Sequence, residues 1–128
     1  DSGLLEEARN TRDEAAAAAE ASGQRDVIGE LLLQQGVAQM DTSPQAAADS
    51  FERAIALSRE MANPLHECEA LIRLADLDVA SGEAGALVRA KTRLLDAGAI
   101  AEAMGLTVEL TRVATRLEAL AQGLAEGH

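Results

Sequence analysis

The stretch Phe51–Asn63, FERAIALSREMAN, is echoed 43 residues further on by Leu94–Leu106, LLDAGAIAEAMGL. In that register Phe51 meets Leu94, Ala54 meets Ala97, Leu57 meets Ile100 and Met61 meets Met104, and each copy runs into a break. Apolar positions stepping by three and four mark one buried face of a helix. A chain that writes the same face twice must bury two equivalent faces in equivalent ways. Duplicate helical hairpins stacked side by side meet that requirement, because each completes its neighbour's interior.

Breaks between the periodic segments set the helix count. Ser22-Gly23 reads as a glycine stop, with Asp26 available to cap the next helix. Asp41-Thr42-Ser43-Pro44 and Asn63-Pro64 each place proline at a first helical position, where its missing N–H costs nothing. Ser81-Gly82 and Gly105-Leu106-Thr107 are two further glycine stops, the second followed by a threonine cap. The expected helices are 4–21, 26–40, 44–61, 64–80, 84–104 and 107–122. Ala dominates the apolar residues, only two prolines occur and Phe51 is the sole aromatic. Ala is the best helix former and lets helices approach closely, so the fold class is all-α.

Short breaks between long helices force antiparallel neighbours. Leu65, Cys68, Ile72, Ala75 and Val79 form a stripe that Leu71, Leu74 and Leu77 widen, as expected of a helix contacted from two sides. The fifth and sixth helices carry their own ladders, Leu87-Ala90-Leu94-Ala97-Ala101-Met104 and Leu106-Leu110-Val113-Leu117-Leu120-Leu124. Aligning Leu110, Val113 and Ala114 with Leu71, Leu74 and Ala75 requires losing a helical turn, which leaves the register of the last helix open.

Ala47, Phe51 and Ala54 resemble the small–aromatic–small core of the second helix of a tetratricopeptide repeat, and Ala90, Leu94 and Ala97 match with Leu for the aromatic. Leu74-Ala75 and Ser81-Gly82-Glu83 are similar to that motif's first helix and intra-repeat turn, and the likeness covers about residues 26–105. The family's first-helix tryptophan and tyrosine are absent, and the period of about 40–43 residues exceeds the usual 34. Long periods of this kind resemble repeats in large bacterial signal-transduction ATPases and transcriptional activators. The resemblance implies an α-α superhelix of about six antiparallel helices. Residues 1–125 would form one domain: 4–21 the second helix of a preceding repeat, 26–61 and 64–104 two repeats, and 107–122 a capping helix. Glu126-Gly127-His128 reads as a purification-tag remnant.

Chemistry-bearing patterns are thin. The net charge is −11 with a pI near 4.5, so there is no basic patch to displace counterions from nucleic acid or to attract an anionic membrane. No apolar run approaches a membrane span. The single cysteine excludes an internal disulfide framework and fits a cytoplasmic location. Gly85–Thr92 reads like a phosphate loop, but Ala90 replaces its second glycine and the preceding segment is helical rather than a strand. His66 and Cys68 are two apart on a helix and point apart, so they cannot share a metal ion. With His128 set aside, one histidine remains and no nucleophile has its base nearby. The expectation is no enzyme, no metal and no cofactor.

The resemblance implies a protein–protein interaction or regulatory module belonging to a larger regulator, in which the first helix of each hairpin lines a concave groove. Groove candidates are Glu30, Leu33, Val37, Glu69, Ile72, Asp76 and Arg112. An acidic groove favours a protein or peptide partner with a basic segment. Two other readings stand beside it: a homo-oligomer, with a dimer contact through the Leu106–Leu124 helix, and a small-molecule-sensing domain of a transcriptional activator. The bland reading of the Leu106–Leu124 seam is that it packs on the fifth helix.

Overall fold

The computed structural model describes residues 2–125, in which there are five helices and no strand. They are α1 (Ser2–Gln39), α2 (Pro44–Glu60), α3 (Pro64–Ser81), α4 (Ala86–Met104) and α5 (Thr107–Ala125). The breaks with a physical stop are where the sequence places them. Pro44 and Pro64 open α2 and α3, and Asn63 caps α3 by accepting from the His66 N–H at 3.1 Å. Gly82 and Gly105 end α3 and α4 with φ of 68° each. Thr107 is already the first residue of α5, and the carbonyl at the preceding position, Leu106, accepts from the Leu110 N–H.

The expected break at Ser22-Gly23 is not there. Helix α1 runs through it unbroken, so five helices stand where six were expected. A glycine stops a helix when it turns left-handed or a proline follows. Gly23 keeps a negative φ, and no proline is near. A helix-interior glycine costs about 1 kcal/mol relative to Ala, which the alanine-rich segment before it can absorb.

The two ladders are duplicates down to their hydrogen bonds. Ala47, Phe51, Ala54 and Ser58 are 0, 0, 1 and 3% exposed, and Ala90, Leu94, Ala97 and Ala101 are 0, 1, 0 and 0%. The last rung is therefore Ser58/Ala101 rather than the methionines, since Met104 is 56% exposed. Both helices end in the same two-bond cap. Asn63 N–H donates to Ser58 O and Leu106 N–H to Ala101 O, each at 2.8 Å; Ala62 N–H donates to Arg59 O and Gly105 N–H to Glu102 O, each at 3.3 Å. This is the 6→1 and 5→2 pairing that closes a helix on a left-handed residue. Leu106 stands to α5 as Asn63 does to α3, so the register of the last helix is a plain 43-residue shift with no lost turn.

Each helix packs on its sequence neighbour. The only further contacts among the described residues are α1 with α3 and α3 with α5. Helices α2 and α4 do not touch, and α1 does not reach α4 or α5. A closed bundle would bring such pairs together. The arrangement is instead an open stack of antiparallel hairpins, with the first helices α1, α3 and α5 side by side and parallel. Phe51 anchors the first hairpin by resting on Gly36, where no larger residue would leave room for its ring. Polar pins reinforce both hairpins: Ser50 donates to Gln39, and Arg93 donates to Asp78 at 2.9 Å and to the Leu74 carbonyl.

Candidate groove between the first helices

The parallel packing of α1 and α3 leaves a groove of about 520 Å³ between them, lined by Glu30, Leu33, Gln34, Val37, Ala38, Leu65, His66 and Glu69. Its side chains come from one exposed arc on each helix, which steps of three and four place together. Val37 and Leu65 are 44 and 47% exposed and form an apolar strip, with Leu33 almost fully buried beneath. At one side His66 Nε2 approaches a Glu30 carboxylate oxygen at 3.2 Å, while its Nδ1 lies 3.1 Å from the Asn63 amide. His66 is thus held by the same residue that caps its helix.

Further along, Glu69 accepts from Arg73 at 3.0 Å and from Arg112, which reaches across from α5. Arg112 and Glu69 stand 43 residues apart, at equivalent positions of successive first helices. Burial pushes the Glu69 carboxyl up, but the hydrogen bonds and charges of Arg112 and Arg73 outweigh it and hold the group below the usual carboxylate range. The same hydrogen bond raises the Arg112 guanidinium against the effect of its own burial. One turn on, Arg116 makes a two-pronged pair with Asp76, at 2.8 and 3.0 Å.

Of the residues expected in the groove, Glu30, Leu33, Val37 and Glu69 line it. Ile72 does not. It is 0% exposed, because α3 is contacted by all four other helices and its free arc is too narrow to include it. Asp76 and Arg112 lie at the next junction, tied into ion pairs between α3 and α5. The acidic charge expected of the groove is accordingly balanced at its α5 end, and Glu30, 56% exposed at its side chain, is the carboxylate facing solvent. Leu65, His66 and Arg116 were not foreseen. The Asn63-Pro64 cap does signal that Leu65 and His66 start a helix, but their place opposite Glu30 depends on how α1 and α3 align.

The other features resolve into packing. Cys68 is 0% exposed, with its Sγ 3.5 Å from the Ala97 carbonyl and pointing away from His66. Burial first, then the nearby Glu109 and Glu69 carboxylates, push its pKa from 9.0 to about 11, so it is a neutral thiol near pH 7. Lys91 is exposed within α4, and Gly85 is the left-handed residue that opens that helix. Among the described residues no group of His, Cys, Asp and Glu is placed to hold a metal ion, and no helix is long and apolar enough to cross a membrane. In the Leu106–Leu124 ladder, Val113 and Leu120 are core and Leu106 and Leu117 are packed against it, whereas Leu110 is 37% exposed; the Leu124 side chain and residues 126–128 lie outside what the structure describes. A second hollow of about 450 Å³ opens between α3, α4 and α5, bordered by Ala75, Leu87, Leu94 and Leu120, with Asp76 and Arg116 also at its wall.

Comparison with known proteins finds no matching family model, no matching curated protein and no matching solved structure.

Proposed function

We propose that this chain is a protein–protein interaction module of tetratricopeptide type, part of a larger cytoplasmic bacterial regulator of transcription or signalling. The observation that carries this reading is the α1–α3 groove. It joins an apolar strip (Val37, Leu65) to an exposed carboxylate and an imidazole (Glu30, His66), on the side where parallel first helices lie next to one another. Such a surface takes one face of an extended or helical segment, with an apolar side chain in the strip and a Lys or Arg against Glu30. The chain has a single aromatic, Phe51, and it is buried, so affinity from this groove rests on aliphatic burial and one or two charge-assisted contacts.

The test is a titration of labelled protein with a Leu/Lys amphipathic peptide and with its Leu/Glu counterpart, followed by amide NMR. Saturable shifts at Glu30, Val37 and Leu65 with the basic peptide alone, weakened by Glu30→Lys and by rising salt, are the expected result. Scattered shifts, or equal binding of both peptides, would sink the groove reading. The hollow bordered by Ala75 and Leu94 supports a second reading, as a small-molecule sensor. Its size matches a small ligand, and it opens where Ala75 and Leu94 stand in the places that Leu33 and Phe51 fill in the first hairpin.

A further inference from the structure

The cap of α3 fixes where the proton sits on the imidazole of the groove. Asn63 Oδ1 accepts the His66 backbone N–H at 3.1 Å, as an N-cap side chain does. That bond orients the whole amide, because its oxygen is its one acceptor. The Asn63 NH2 is therefore the group that lies 3.1 Å from His66 Nδ1. An amide NH2 donates and cannot accept, so Nδ1 meets it with a lone pair. A neutral imidazole with a bare Nδ1 carries its proton on Nε2. Here Nε2 faces Glu30 Oε2 at 3.2 Å. The ring is also closed in, with its side chain 16% exposed and Nδ1 set against Gly29, where a Cβ would stand 3.1 Å away.

A second proton, at Nδ1, would set one donor against another. Relief would take a flip of the Asn63 amide, and the flip would uncap α3. The cap thus favours a ring with one proton and no charge. Of the carboxylates around it, Glu67 is paired with Arg59 of α2, and Glu69 with Arg73 and with Arg112 of α5. Among the described residues Glu30 has no Lys or Arg against it, and it faces the imidazole instead. A neutral donor orients a carboxylate without cancelling its charge. We propose that Asn63 and His66 are positioning residues for the groove, holding Glu30 in place as a full negative charge for a partner's Lys or Arg. This rests on the groove being a partner site. The fold does not itself demand the pair: 43 residues on, at the start of α5, the equivalent positions are Leu106 and Glu109.

Ring 15N NMR near pH 7, together with titration by the Leu/Lys peptide, tests this on the full chain. The His66 signals are those that vanish in His66→Gln. The wild-type ring should show a protonated Nε2 and a bare Nδ1. Asn63→Asp keeps the cap oxygen but turns an acceptor toward Nδ1, so both ring nitrogens should carry protons while helicity is unchanged. His66→Leu should weaken the peptide at least about fivefold. His66→Gln, whose amide can still donate to Glu30, should stay within about twofold of wild type. A proton on wild-type Nδ1, or a bare Nδ1 in Asn63→Asp, overturns the proposal, and so does undiminished affinity in His66→Leu. A wild-type chain that binds no peptide overturns the groove reading and the positioning role with it, whereas the ring signals still decide the proton's place.

Discussion

Gly36→Ala separates local propensity from tertiary packing. On propensity alone it should strengthen α1 by about 1 kcal/mol. The structure reverses the sign. An added Cβ would stand 2.5, 2.7 and 2.9 Å from Cε1, Cζ and Cδ1 of Phe51, where carbon contacts settle at about 3.5–4.0 Å. Phe51 is 0% exposed between Ala47 and Ala54, so either its ring pushes into packed core or α1 and α2 move apart by about 1 Å. Overpacking of this kind costs about 1–3 kcal/mol, and a clash with three ring atoms belongs near the top of that range. Subtracting the propensity gain leaves a net loss of about 2 kcal/mol, a fall in melting midpoint of roughly 6–10 °C for a chain of this length.

Phe51→Leu alone should cost about 1 kcal/mol, by the transfer and cavity terms of a smaller side chain. The double variant should lose about 3 kcal/mol less than the two singles summed and stand near the wild type, because Leu, the residue at the equivalent position 94, leaves room for the methyl and the overpacking cost disappears. Thermal and urea unfolding of the four proteins completes the cycle. A Gly36→Ala variant that melts at or above wild type, or a double variant that is merely additive, would refute the contact.

Two further outcomes rest on named contacts. Ala62 closes α2 at φ 50° where Gly105 closes α4 at φ 68°; in urea unfolding Ala62→Gly should raise the stability by up to about 1 kcal/mol and Gly105→Ala lower it by about as much, and the opposite signs would show that the left-handed cap does not limit these ends. The Cys68 thiol binds its proton more tightly folded than unfolded, with its pKa raised from 9.0 to about 11. Its contribution is therefore complete below pH 9 and is lost as pH climbs toward 11. Urea midpoints should fall across that window less steeply in Cys68→Ala, and a thiol reagent at pH 8 should label the native chain far more slowly than the unfolded one. Rapid native labelling would contradict the burial.

The parts of the fold legible in sequence are those governed by local chemistry. Proline and left-handed glycine stops fixed four helix boundaries, because a missing donor or a positive φ acts whatever surrounds it. The ladder of small and large residues identified the buried faces of α2 and α4, because a 3.6-residue period brings those positions onto one side. Gly23 misled for the same reason. Glycine permits a stop without imposing one, and no local partner enforced it. In the groove, Glu30, Leu33, Val37 and Glu69 were reachable from hairpin counting, whereas Ile72 was not excluded until α3 proved to touch all four other helices, which leaves it only a narrow free arc.

Helical periodicity, glycine and proline punctuation and the 43-residue echo belong to the sequence by itself, since each depends on residues within a turn or two of one another and needs no partner to act. Tertiary structure alone decided which first helices lie in parallel contact, that Glu69 meets its own equivalent Arg112, that the pattern's final rung is Ser58/Ala101, and that α1 presents Val27, Ile28 and Leu31 uncovered. Those outcomes turn on the sliding and rotation of one helix against another, which the packed volumes of several side chains settle jointly and no single segment encodes.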